Sequence, residues 1–142
     1  MIVKIKKLRD DAIIPEYKTD GAAGFDFYAA IDDTIVIMPN EWRDIPFGIA
    51  MEIPEGYELR VRSRSGPAFH NQVIAYHGLI DSDYRGGLSV LLHNTGHTAF
   101  IVKPGDRVAQ GVISRYEKAT FLEVETLSET ERGAKGFGST GI

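Results

Sequence analysis

Tyr57-Glu58-Leu59-Arg60-Val61-Arg62-Ser63-Arg64-Ser65-Gly66 alternates apolar and polar side chains from Tyr57 to Arg62. A period of two is that of a strand, so Arg60, Arg62 and Arg64 are expected on one face and Leu59 and Val61 on the other. A basic stripe then lies beside an apolar wall. Arg64-Ser65-Gly66 ahead of Pro67 reads as a strand running into a short helix over residues 67–71, a junction whose free N–H groups and hydroxyl can hold an anion. The other reading of the stripe is a solvated face paired to carboxylates across the sheet.

The same alternation returns in short runs over residues 2–6, 34–38, 49–53, 88–92, 100–102, 108–113 and 121–124. Between the runs stand Pro39-Asn40, Pro54-Glu55-Gly56, Gly86-Gly87, Asn94-Thr95-Gly96 and Pro104-Gly105-Asp106, whose backbone preferences favour turns. This pattern predicts an all-β sandwich or barrel with only a short helix.

Bulk composition sets the outer limits. With 142 residues, 43% of them hydrophobic and 25% charged, the chain has material for one core, and one domain over residues 1–142 is expected. A formal net charge of −4 argues against a nucleic-acid-binding surface. The absence of cysteine excludes disulfides, thiolate zinc sites and cysteine nucleophiles. No apolar run approaches a membrane span, so the protein is expected to stay in the cytoplasm, without membrane contact.

Several segments hold chemically capable groups. The end of the chain, from about residue 128, is glycine-rich and is expected to be mobile on its own. Its glycines let backbone N–H groups approach phosphate oxygens, Arg132 adds a forked cation, Ser139 and Thr140 add hydroxyls, and Phe137 offers a face to a flat ring. The alternative is a disordered tail whose phenylalanine docks on a neighbour. Gly78-Leu79-Ile80-Asp81-Ser82-Asp83-Tyr84-Arg85-Gly86-Gly87 puts two carboxylates and an aromatic ring in a turn after an apolar strand. A carboxylate there can orient and deprotonate water, although Asp and Ser are also ordinary turn residues. Asp26 either faces a hydrated metal or caps a loop. His93 and His97 have a zinc-like spacing but bracket a turn and lack any other soft ligand.

Read in order, these segments resemble the five motifs of the trimeric dUTP pyrophosphatase (dUTPase) family, at closely similar spacing and over nearly the whole chain. Residues 23–30 (AGFDFYAA) resemble the first motif, Arg64-Ser65-Gly66 the second and residues 78–86 (GLIDSDYRG) the third. Residues 105–110 (GDRVAQ) resemble the fourth and residues 132–141 (RGAKGFGSTG) the fifth. The third motif and the Gly-Phe-Gly-Ser-Thr-Gly run are the most specific.

The resemblance implies a jelly-roll-like β-barrel protomer and a homotrimer with active sites shared between chains, over which residues from about 128 to 142 close as a flexible lid. It implies hydrolysis of dUTP to dUMP and pyrophosphate by water attack on the α-phosphorus, limiting uracil incorporation into DNA and supplying dUMP for dTMP synthesis. Asp81 would activate the water, and Tyr84 would pack on the deoxyribose where a 2′-hydroxyl would clash. The hairpin over residues 73–79, with Ala75, Gly78 and Leu79, would read uracil through main-chain groups, under a stacked Phe137. Arg64, Ser65, Gly66 and Gln110 would bind the phosphates, joined by Arg132, Gly138, Ser139 and Thr140 on closure. Asp26 would hold a water of the Mg²⁺ shell, since that cation keeps several waters and takes most direct ligands from the triphosphate.

The chain departs from the family pattern at Pro67 and Phe69 after the second motif, at Gly111, at Lys135 and in the bulky Ala75-Tyr76-His77. Gly111 is expected to alter packing near a trimer axis. Three rival functions follow: a dCTP deaminase of the same fold, a nucleotide-binding regulator of a protein partner, and a plain β-sandwich binding protein. The Asp81-Ser82-Asp83-Tyr84 run and the full tail favour the hydrolase.

Overall fold

The computed structural model of the chain describes residues 1–76 and 78–136. Its strands are β1 (Lys4–Lys7), β2 (Phe25–Tyr28), β3 (Ile35–Ile37), β4 (Trp42–Pro46), β5 (Ile49–Glu52), β6 (Tyr57–Arg62), β7 (Val73–Ala75), β8 (Gly78–Ile80), β9 (Ser89–Asn94), β10 (Phe100–Val102) and β11 (Arg107–Arg115), with one helix, α1 (Ser65–Asn71), between β6 and β7. They form a four-stranded sheet ordered β2-β11-β6-β8, a three-stranded sheet ordered β4-β9-β7, and the pairs β1-β5 and β10-β3. Every pairing is antiparallel, in a jelly-roll-like arrangement.

Alternation decides which faces meet. Leu59 and Val61 are buried while Arg60 and Arg62 are exposed, and Phe25 and Phe27 point inward while Asp26 and Tyr28 lie at the surface of β2. The inward set from both larger sheets forms one core, in which Phe27 stacks on Phe47 with centroids 4.2 Å apart and meets Phe25 edge-on at 5.2 Å. Asn94 is a fully buried polar group. Its Nδ2 donates to the carbonyls of Ile37 and Thr98, both at 2.8 Å, and its Oδ1 accepts from the Gly96 N–H at 3.0 Å. All its polar atoms are thereby satisfied, which removes the cost of burying them.

Gly111 lies on the inner face of β11. A Cβ there would stand 2.5 Å from the Phe25 ring and 2.7 Å from the Phe27 ring. The missing side chain makes room for the two aromatic rings, so the departure at Gly111 answers to this core.

Some expected elements shift. The helix begins at Ser65, two residues before the expected start, and holds Pro67 in its first turn, where no intrahelical N–H bond is lost. It ends at Asn71 and is capped by Gln72, which takes a left-handed conformation with φ of 56°. Strands β2 and β4 fall outside the periodic runs, β2 because it is short and follows Gly24, β4 because it is mostly exposed and ends at Pro46. The strand expected over residues 121–124 does not form: Phe121 is 94% exposed and Leu122 83% exposed, with no neighbouring strand to supply hydrogen bonds.

Candidate active site

One group of functional side chains gathers on the outer face of the four-stranded sheet. Register places Asp26 of β2 opposite Gln110 of β11, and Gln110 opposite Arg62 of β6, so the three form a row across the sheet. Arg64 follows the end of β6 and is the residue capping α1. Its Nε donates to Asp26 Oδ1 at 2.9 Å, and its Nη1 donates to the Arg107 carbonyl at 3.1 Å. Arg107 Nη1 donates to the other Asp26 oxygen at 3.1 Å. Asp26 is therefore held between two guanidiniums, with its side chain only 13% exposed.

A β-bulge makes this arrangement possible. Arg107 and Gln110 are three residues apart and would face opposite ways in a regular strand. The register shift between Arg107 and Ala109 adds one residue to β11, leaving Arg107 opposite Tyr28 and Gln110 opposite Asp26. Both side chains then share the outer face. Glu16, bridged to Asp26 through the backbone, has its carboxyl held below the usual range by the Lys18 ammonium, with the Tyr28 hydroxyl adding to the effect.

Ser63 ties this face to the next hairpin strand. Its Oγ accepts the Ala75 N–H at 2.8 Å, while its carbonyl accepts Gln110 Nε2, also at 2.8 Å. Arg62, Ser63 and Gln110 line an open cleft together with Ala23 and Gly24. Arg60 belongs to a different contact, because its Nε donates at 2.6 Å to Glu58, a buried carboxylate.

A second group forms after β8. The Tyr84 N–H donates to the Asp81 carbonyl at 3.2 Å, closing a turn, and the Tyr84 hydroxyl donates to the Gly87 carbonyl at 3.2 Å. The Tyr84 ring lies against Gly86, where a Cβ would overlap it. Arg85 fastens the turn by donating to the carbonyls of Ser82 and Tyr84 at 2.6 and 2.9 Å. Leu79, Asp81, Tyr84 and Ser89 border a smaller cleft of 240 Å³, and it shares no lining residue with the cleft at Gln110.

The register of β6 and β8 fixes the distance between the groups. Val61 pairs with Gly78 and Leu59 with Ile80, so the chain reaches Asp81 level with Glu58. Arg64 lies about six residues further along, on the order of 20 Å at the usual strand rise. Within one chain, Asp81 does not meet Arg64.

A family model described as dUTPase matches residues 10–141. The chain belongs to the dUTPase family. A deoxyuridine 5'-triphosphate nucleotidohydrolase of Nautilia profundicola is 50% identical over 143 aligned positions, covering 99% of both chains. One of Helicobacter pylori is 45% identical over 144 positions, covering 100% of this chain and 98% of its own. Among solved structures, a mutant dUTPase of Staphylococcus bacteriophage 80alpha with dUpNHpp superposes with a TM-score of 0.93 at 28% identity, covering 99% of each chain. A dUTPase mutant from phage phi11 of S. aureus, described with a structural Mg(II) ion, superposes at 0.83 with 25% identity, covering 89% of this chain and 98% of its own.

Seen as a dUTPase, the chain brings together Asp26, Arg64 and Gln110, beside Ser65 and Gly66 in the first turn of α1. It gathers Gly78, Leu79, Asp81 and Tyr84 in the other group, and Ala75 is a buried residue between the two. Arg132 is exposed and its Nε donates to the Lys135 carbonyl at 3.0 Å, within its own segment. Phe137, Gly138, Ser139 and Thr140 lie outside the described residues. Sequence reading passed over two residues of this site, Arg107 and Ser63. The first shares a face with Asp26 only through the bulge, and the second acts through a contact to Ala75, so neither left a periodic signal.

Proposed function

We propose that this chain hydrolyses dUTP to dUMP and pyrophosphate in active sites that each draw on more than one copy of the chain, in a homotrimer working in the cytoplasm. The phosphate half is Arg64, Ser65, Gly66 and Gln110 of one chain. The reacting half is the uracil hairpin with Ala75, Gly78 and Leu79, the sugar wall Tyr84 and the base Asp81 of another. Arg132 and the residues after it, Phe137, Gly138, Ser139 and Thr140, close the site.

The observation that carries this reading is the separation of Arg64 from Asp81 along the β6-β8 pair. A triphosphate held at Arg64 lies too far from the Asp81 of the same chain for that carboxylate to reach a water at the α-phosphorus. An Asp81 brought by a second copy removes the conflict. The exposed Phe121, Leu122 and Leu127 support the same assembly, because a segment that leaves large apolar side chains in water is suited to crossing onto a neighbouring chain.

Each half has a chemical task. Asp81 orients water in line with the leaving pyrophosphate and takes its proton as the new P–O bond forms. Arg64 and the Gln110 amide position the phosphates and offset the charge on their oxygens. Tyr84, braced by its hydroxyl on Gly87, presents a rigid ring to the sugar and excludes a 2′-hydroxyl by contact.

The residues present fit a magnesium ion bound chiefly through the triphosphate. Among the described residues no group of three or more His, Cys, Asp or Glu is placed to hold a metal directly. Each Asp26 oxygen accepts one guanidinium N–H and keeps a lone pair free to accept from a metal-bound water. Bound there, Mg²⁺ would neutralise phosphate charge in the transition state.

The test is pyrophosphate release from dUTP, dCTP, dTTP and UTP, each with and without Mg²⁺. Strong preference for dUTP with metal present is expected. Ammonia release from dCTP, or no turnover of dUTP, would overturn the assignment.

A further inference from the structure

The arginines on the outer face of β6 have different surroundings. Arg60 is committed to the buried Glu58 carboxylate, and Arg64, beyond the strand end, is committed to Asp26. Arg62 stands between them, exposed, and makes no hydrogen bond or ion pair among the described residues. Its position is not neutral ground. It lies directly across from Gln110 and lines the same cleft as Gln110 and Ser63.

Charge makes the placement informative. Arg64 and Arg107 bring two positive charges against the single carboxylate of Asp26, leaving one in excess, and Arg62 adds a second. This local surplus sits in a chain whose formal net charge is −4. A cation without a partner among the described residues, set on an open cleft beside a fixed amide donor, favours an anion over a neutral or basic ligand.

We infer that Arg62 is a further substrate-binding residue, whose guanidinium contacts the phosphate chain of the nucleotide from the Gln110 side of the cleft. The inference rests on the dUTP-hydrolysing function proposed above and adds a group to its phosphate half. Arg62 takes part in holding the anion, and the attack on phosphorus is left to Asp81. Its loss therefore falls on KM more than on kcat. A guanidinium also carries two parallel donors where an ammonium is a point charge, so lysine restores attraction better than it restores geometry.

The experiment compares the full-length protein with Arg62→Gln, Arg62→Lys and Arg62→Glu. The readouts are KM and kcat for dUTP, the Kd of dUpNHpp by calorimetry at two ionic strengths, and the assembly state by light scattering. Arg62→Gln should raise both KM and Kd roughly five- to twentyfold, the order expected for losing a partly solvated hydrogen bond to a charged group. Arg62→Glu should raise them further, Arg62→Lys should recover part of the loss, and the salt dependence of Kd should flatten in Arg62→Gln. Assembly should be unchanged in all three. Parental KM and Kd in Arg62→Glu would overturn the inference. So would a loss that accompanies dissociation and disappears at high protein concentration, since Arg62 would then pair with a carboxylate of a second copy. If the parent protein neither binds dUpNHpp nor hydrolyses dUTP, the function itself fails, an outcome distinct from either of these.

Discussion

Arg64 and Asp81 stand toward opposite ends of one antiparallel strand pair, with Asp81 level with Glu58 and Arg64 beyond the far end of β6. Both belong to dUTPase motifs, and a chain folded by itself keeps them apart. The strand register that builds the core therefore also separates the two groups within a chain, and the proposed site draws them from two copies.

Asp81→Asn keeps the side-chain size and removes the base. Turnover of dUTP is expected to fall by roughly two to four orders of magnitude, the range for loss of a positioned base. Affinity for dUpNHpp and the assembly state should be close to those of the parent, measured by calorimetry and light scattering. Near-normal turnover would remove Asp81 from the mechanism.

Tyr84→Ala takes away the wall proposed for the sugar, and Gly86→Ala should partly mimic it, because a methyl group at Gly86 overlaps the Tyr84 ring. Both variants should narrow the ratio of kcat/KM for dUTP over UTP. Discrimination against dTTP should be little changed, since the base is read by the hairpin. A dUTP/UTP ratio equal to the parent's in Tyr84→Ala would reject the role.

Arg107→Leu leaves Asp26 with Arg64 as its only guanidinium partner. The expected result is a KM for dUTP raised about three- to tenfold, with a stability loss under about 1 kcal/mol because Arg107 is half exposed and its ion pair is screened. Urea unfolding and steady-state kinetics separate the two effects. An unchanged KM would mean that Arg107 takes no part in presenting Arg64.

Gly111→Val forces a branched side chain into space occupied by Phe25 and Phe27. Overpacking of this kind typically costs about 1–3 kcal/mol, and the urea midpoint should fall accordingly. A midpoint matching the parent's would show that the two rings can move aside freely.

Much of this was legible in the sequence, for identifiable reasons. Strands such as β6 and β9 alternate because one face meets the core and the other meets water, and that contrast is written into residue type. Strand β4 was not legible, since most of its side chains are exposed and only Ile45 is buried. Residues 121–124 alternate in the same way yet form no strand, because alternation specifies a face and not the surface that will cover it. The site shows the same limit. Asp26, Arg64, Gln110, Asp81 and Tyr84 are site candidates through their motifs, whereas Arg107 reaches Asp26 across 81 residues of chain by means of a bulge, which no local pattern records.

The most direct test of the shared site combines two inactive proteins, Arg64→Ala and Asp81→Asn, carrying different tags and co-expressed so that mixed oligomers can be isolated through both tags. If each site takes Arg64 from one chain and Asp81 from another, every mixed trimer holds one complete site, so about a third of the sites in the isolated mixed oligomers should be complete. Release of pyrophosphate from dUTP should then rise to roughly that fraction of the parental rate, far above either variant alone. Verified mixed oligomers that stay at the level of the two parents would mean that one chain must supply both groups, and would contradict the shared site.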